Sequence, residues 1–193
     1  MKLELFWPVK PININQGFGV NGDWYQSHGI NIAGHNGLDL RALHGQPVRA
    51  AHDGIVTFSG EDGSGGCGVV IRTNEPREYQ TGEAYFKSIY WHLIKEIPVK
   101  AGQQVKVGDI IGYANSTGLS TGDHLHFGLK VLQKGEQDWQ WTNIEQNNGY
   151  LGAIDPTPYL NYFYAEDAQG IFQKISMIQE AIKKIQEWLK GRI

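Results

Sequence analysis

Three stretches of this 193-residue chain hold side chains that can do chemistry. "STGDHLHFG", residues 120–128, sets His124 and His126 two apart in a segment that reads as a strand. Side chains of a strand alternate with a period of two, so both imidazoles face one side and Leu125 and Phe127 the other. Two imidazoles on one face are costly to bury without partners. Hydrogen bonds would satisfy them, and so would a metal or a proton-transfer site. "GHNGLDLRA", residues 34–42, adds His35 and Asp39, four apart. Gly34 and Gly37 argue against a helix there, and a loop entering a strand is expected. Imidazole nitrogen and carboxylate oxygen are ordinary zinc ligands, and a third ligand from another strand would leave the fourth tetrahedral position to water. That open pattern belongs to catalytic rather than structural zinc sites. "SIYWHLI" contributes His92 from a further strand, with Tyr90 expected on the same face. Strand alternation does not distinguish His124 from His126 as the third ligand.

The elements that must position these residues read as mostly β. The chain has 25 glycines, well above the usual share of about 7%. Short Val- and Ile-rich runs lie between them. "PVRAAHDGIVTFSG" gives two runs broken by Asp53-Gly54, a hairpin turn pair. "GCGVVIRT" is a strand, and "VKAGQQVKVGDIIGYA" carries turns at Ala101-Gly102 and Gly108-Asp109. Residues 21–34, 74–88 and 133–150 are polar and read as loops. "AIDPTPYL" closes the β domain, expected over residues 1–165. The remainder, 166–193, differs. Ile171, Ile175, Ile178, Ile182, Ile185 and Leu189 form a stripe at alternating spacings of four and three, the mark of an amphipathic helix. Such a helix either packs on the β domain or joins a second copy or a partner as a short coiled coil.

Composition narrows the function class. A net charge of −3 gives no footprint for nucleic acid or an anionic membrane. No stretch approaches the ~18 apolar residues of a membrane span, and the N-terminal "MKLELFWPVKPININ" does not read as a signal peptide. The single cysteine, Cys67, is flanked by glycines with no base nearby in sequence and reads as structural.

The segments "HNGLDL", "PVRAAHDGIVTFSG", "GVVIRT", "YWHL", "VKAGQQVKVGDIIGYANSTGLSTGDHLHFGL" and "IDPTPYL" occur in one order. In that order the chain resembles the lysostaphin-type (LytM-like) zinc endopeptidases of bacterial cell walls, over about residues 5–160. The resemblance implies a compact antiparallel β fold of the LytM/lysostaphin type, similar to the duplicated hybrid motif. It implies His35, Asp39 and His126 as zinc ligands. It also implies His92 and His124 as non-ligands that serve as general base and oxyanion partner. The implied reaction is hydrolysis of peptide bonds in peptidoglycan cross-links or stems. Peptidoglycan lies outside the cytoplasm, so the chain is expected to act at the wall, brought there by an export route or as a phage virion or lysis protein.

Other residues carry weaker expectations. His28, Trp24 and Tyr25 are placed at a groove wall, and Trp139 and Trp141 either line a groove or pack on the body. Asp123 either orients His124 or belongs to a turn. His44 and His52 are expected in solvent. Three rivals remain. One is a relative without activity that binds peptidoglycan or activates a partner. The second is a phosphocarrier domain with paired histidines, which "TGDHLHF" fits poorly. The third is an assembly protein acting through its C-terminal helix.

Overall fold

The computed structural model describes residues 1–137, 140–161 and Ile182. The C-terminal helix and Trp139, both singled out from sequence, lie outside the described residues, apart from Ile182. The elements are β1 (Ile14–Gln16), α1 (Gly22–Ser27), β2 (Leu38–Arg41), β3 (Pro47–Arg49), β4 (Gly54–Asp62), β5 (Gly66–Thr73), β6 (Arg77–Tyr79), β7 (Gly82–Leu93), β8 (Gln104–Val105), β9 (Ile110–Tyr113), β10 (His124–Lys134), β11 (Trp141–Asn143) and β12 (Ala153–Ile154). The expectation of a mainly β, antiparallel domain holds. Among the described residues the main sheet runs β1-β2-β10-β7-β5-β4-β8, with β11 and β12 on β10 and β6 on β7. β3 and β9 pair separately.

β10 shows why the sheet forms. Leu125, Phe127, Leu129 and Val131 are fully buried on one face, while His124, His126 and Lys130 on the other are half-buried. Each large apolar side chain withdrawn from water contributes about 1.5–3 kcal/mol, and a one-residue slip would turn that whole set outward. The same core takes Tyr90, Phe86 and Leu93 from β7, Ile71 from β5 and Leu38 and Leu40 from β2.

Several sequence expectations are corrected. Asp53-Gly54 is not a hairpin turn, because β3 pairs with β9 and β4 with β5 and β8. Gly54 instead lets two backbones meet: a Cβ there would lie 2.3 Å from the Arg72 carbonyl oxygen. The Asp53 carboxylate accepts from the Val107 amide at 2.8 Å and from Lys106 Nζ at 2.9 Å. The segment 74–88 is not a loop but the β6–β7 hairpin, turning through a left-handed Gln80. Its polarity is that of a strand with one wet face: Ala84, Phe86 and Ser88 are buried and alternate with half-buried Tyr85 and Lys87. Residues 21–34 contain α1, and 133–150 contain β11. Each is a single short element of mixed polarity, too short for its period to be read.

Candidate metal centre

β2 and β10 are neighbours, and their register sets Asp39 opposite His126. His35 precedes β2 and is fixed by backbone hydrogen bonds. Its amide donates to the Val20 carbonyl at 2.9 Å, and its carbonyl accepts from the Gly19 amide at 2.8 Å. Gly34 permits that approach, since a Cβ there would fall 2.3 Å from the Gly19 carbonyl oxygen. His35 Nδ1 lies 3.1 Å from the Gly17 carbonyl, which can only accept, so the ring proton sits on Nδ1 and Nε2 is left as a lone pair.

That lone pair meets two other donor atoms. His35 Nε2 and His126 Nδ1 are 3.0 Å apart, and Asp39 Oδ1 lies 3.1 Å from each. Zinc bonds of 2.0–2.2 Å in tetrahedral array separate the ligand atoms by about 3.3 Å, so the triangle has the size and chemistry of a zinc face. Asp39 shows the same bias toward a cation. Burial raises its carboxyl pKa, but the adjoining His126 and His35 imidazoles outweigh burial and hold it well below the usual carboxylate range. Burial also pushes His126 below the usual imidazole range, with the Asp39 hydrogen bond opposing it. Neutral imidazole is the form a metal takes.

His92 and His124 stand beside the triangle, their ring centroids 4.6 Å apart. His92 Nδ1–H donates to the Thr117 carbonyl at 2.7 Å. His124 Nδ1–H donates to the Gly122 carbonyl at 2.8 Å. With Nδ1–H so committed, each ring keeps its Nε2 available. His124 Nε2 is 3.6 Å from Asp39 Oδ1. Burial lowers the His92 pKa to about 4, with the Thr117 hydrogen bond opposing it.

The backbone places His92 in a way alternation does not foresee. Tyr90 pairs with Phe127 in the core, and its hydroxyl accepts from the Ala51 amide at 2.8 Å. Strict alternation would send His92 to the same buried side. His92 instead has φ +65°, and the β5–β7 register slips between Cys67 and Val69 at the same level. A left-handed non-glycine residue costs about 1–2 kcal/mol, and this bulge re-aims the imidazole beside His124. The expectation that Tyr90 and His92 share a face is thus overturned.

All five candidate residues come together, and the others disperse. His28 stacks on Trp24 at 4.2 Å, and Trp24 is 48% exposed. Tyr25 does reach it, lying parallel to the His35 ring at 6.3 Å, with its hydroxyl accepting from Gln16 Nε2 at 3.0 Å. Asp123 lies 3.8 Å from His44, which is exposed, rather than orienting His124. His52 is not in solvent: it is buried, its Nδ1 2.8 Å from the Asp53 carbonyl and its Nε2 2.8 Å from Ser88 Oγ. Cys67 is buried and free, in keeping with a structural role. The residue missed from sequence is Thr117. Its carbonyl holds His92, its hydroxyl donates to the Leu93 carbonyl at 2.8 Å, and its Oγ1 accepts from the Cys67 amide at 3.0 Å. The only signal was the run of Ser, Thr and Gly ahead of the histidine pair.

Comparison with known proteins follows the same residues. The family described as Peptidase family M23 matches residues 33–139. The glycyl-glycine endopeptidase ALE-1 of Staphylococcus capitis is 37% identical over 135 residues, 68% of this chain and 30% of that protein. The DD-carboxypeptidase/endopeptidase Mpg of Neisseria meningitidis is 38% identical over 97 residues, 50% of this chain and 20% of that protein. The matched region spans about a fifth to a third of the length of these curated relatives. Among solved structures, the catalytic domain of lysostaphin from Staphylococcus simulans is 26% identical, with a TM-score of 0.51 over 81% of this chain and 91% of that one. A zinc-containing peptidase from Vibrio cholerae is 30% identical, with a TM-score of 0.53 over 78% and 40%.

Proposed function

The chain belongs to peptidase family M23, and from that premise we propose that it is a zinc-dependent endopeptidase that cuts peptide bonds of bacterial peptidoglycan. The observation that carries this is the convergence of His35 Nε2, Asp39 Oδ1 and His126 Nδ1 within 3.1 Å of one another, with two further imidazoles alongside. Those three residues would hold the zinc. A zinc ion there lowers the pKa of water toward 7 and polarises a scissile carbonyl.

The other steps fall to the chain itself. His92, kept neutral by burial and tied through Nδ1–H to Thr117, offers Nε2 to the proton of the attacking water and then returns it to the leaving amine. His124 is tied through Nδ1–H to Gly122. With its Nε2 near Asp39, its ring is the partner for charge developing on the carbonyl oxygen. His35, Asp39 and His126 keep the reacting groups in register through the β2–β10 pairing.

The substrate lies in the wall, so the activity requires delivery there, by export or by a phage particle. We carry residues 1–165 as the peptidase domain and 166–193 as a helical packing or docking element. A relative acting by binding alone would not need both free imidazoles, and we set that reading second. The test measures zinc per purified chain and the turbidity of peptidoglycan sacculi. Expected are one zinc and clearing for the native chain, loss of both in His126→Ala, and zinc without clearing in His92→Ala. A native chain that takes up no zinc would overturn the proposal.

A further inference from the structure

The face of β10 that carries His126 continues along the strand to Gly128 and Lys130. Directly opposite on β7 stand Trp91, Ile89 and Lys87, and Arg72 of β5 faces Lys87. Lys130, Lys87 and Arg72 therefore form one row across three neighbouring strands, on the sheet face of the metal centre. Lys130 lies four positions along the strand from His126, about 13 Å along the sheet.

The row is an unusual thing for a chain of net charge −3 to build. Like charges directly opposite one another in a sheet destabilise it. At its ends two members have partners. Arg72 stacks over the Trp141 ring at 3.6 Å, and Lys130 Nζ donates to the Leu151 carbonyl at 2.6 Å. Lys87, in the middle, is half-buried, and among the described residues its ammonium has no hydrogen bond or ion pair. Burial lowers its pKa, and Lys130 is lowered by burial and then by Lys87. No carboxylate among the described residues acts on Arg72, Lys87 or Lys130.

Resting on the endopeptidase reading above, we infer that Lys87, flanked by Arg72 and Lys130, is a subsite for a carboxylate of the substrate peptide. The carboxylate would sit about four extended residues from the bond at the metal centre. This selects anionic stem peptides and cross-links, rich in free side carboxylates, over neutral glycine bridges. Trp141 and Tyr85, edge to face at 4.9 Å, close the far end of the row.

The test uses the zinc-loaded full chain and two soluble tetrapeptide–tetrapeptide dimers of one sequence, with side carboxylates either free or amidated. Hydrolysis is read as KM and kcat, and binding is read separately by tryptophan fluorescence. The free-carboxylate dimer is expected to bind and be cut with a KM about tenfold lower, the scale of one charge-assisted contact. Lys87→Gln is expected to bring the two KM values together, while Lys87→Arg keeps them apart. Equal KM and equal binding of the two dimers by the native chain would overturn the subsite while leaving the peptidase standing. Preferential binding of the free-carboxylate dimer without cleavage of either would keep the subsite and remove the endopeptidase reading.

Discussion

At the residue scale, five side chains divide into two sets that mutation separates. His35, Asp39 and His126 share one point, so Asp39→Ala is expected to lower zinc affinity as His126→Ala does, read by zinc retained after dialysis against a weak chelator. On the proposed reading His124 is not a ligand. His124→Ala is expected to keep zinc and lower kcat by about 10²–10⁴-fold. His52 tests the fold rather than the site. Its pKa is lowered to about 4 by burial, against an ordinary 6.5. The unfolded chain therefore binds a proton that the folded chain refuses between those values. The stability this contributes is complete above pH 6.5 and is lost as pH falls toward 4, by up to about 3 kcal/mol. Urea midpoints are expected to drop from pH 7 to pH 5, and a His52→Gln variant should reduce that slope, with buried His92, whose pKa is also about 4, contributing to the remainder. An unchanged slope in the variant would assign the pH effect elsewhere.

At the element scale, the strands carrying the site residues were largely legible and their exact aim was not. The period-two pattern of "HLHFGLKVL" settles which face of β10 is apolar, because burial of Leu125, Phe127, Leu129 and Val131 enforces it. The β2 approach was readable from Gly34 and Gly37. The bulge at His92 was not, since it depends on a register slip against β5 that no local pattern encodes. Nor was His52 in the core: its partner Ser88 is 36 residues away, and only folding brings them together. Gly37 tests how tightly β2 is fitted. A Cβ there would lie 2.7 Å from both His126 Cε1 and the Phe127 carbonyl oxygen. The backbone oxygen cannot yield cheaply, so Gly37→Ala is expected to displace His126 and cost about 10–100-fold in zinc affinity, the range seen when a ligand's support is disturbed. Affinity unchanged in competition with a chromophoric chelator would mean the strand accommodates it.

At the scale of the whole molecule, the five site residues lie between His35 and His126, their support begins at Gly17, and the described β elements end by Ile154. A chain truncated after Ala165 is therefore expected to retain one zinc and to cut soluble dimers at a kcat within about twofold of the full chain, as a self-contained domain would. Comparison of the two chains by size-exclusion chromatography separates a packing from a docking role for residues 166–193. Loss of zinc on truncation would make that segment part of the fold.

The metal triangle has one further consequence. Asp39 and His126 are 87 residues apart in the chain, and His35 is 91 from His126. A bound ion is then a removable staple across most of the domain. Held by the folded chain and released on unfolding, the ion stabilises the fold by mass action, in a protein whose only cysteine is buried and single. Where proteases prey on momentary opening, a bound ion would lengthen the survival of the enzyme as well as equip it.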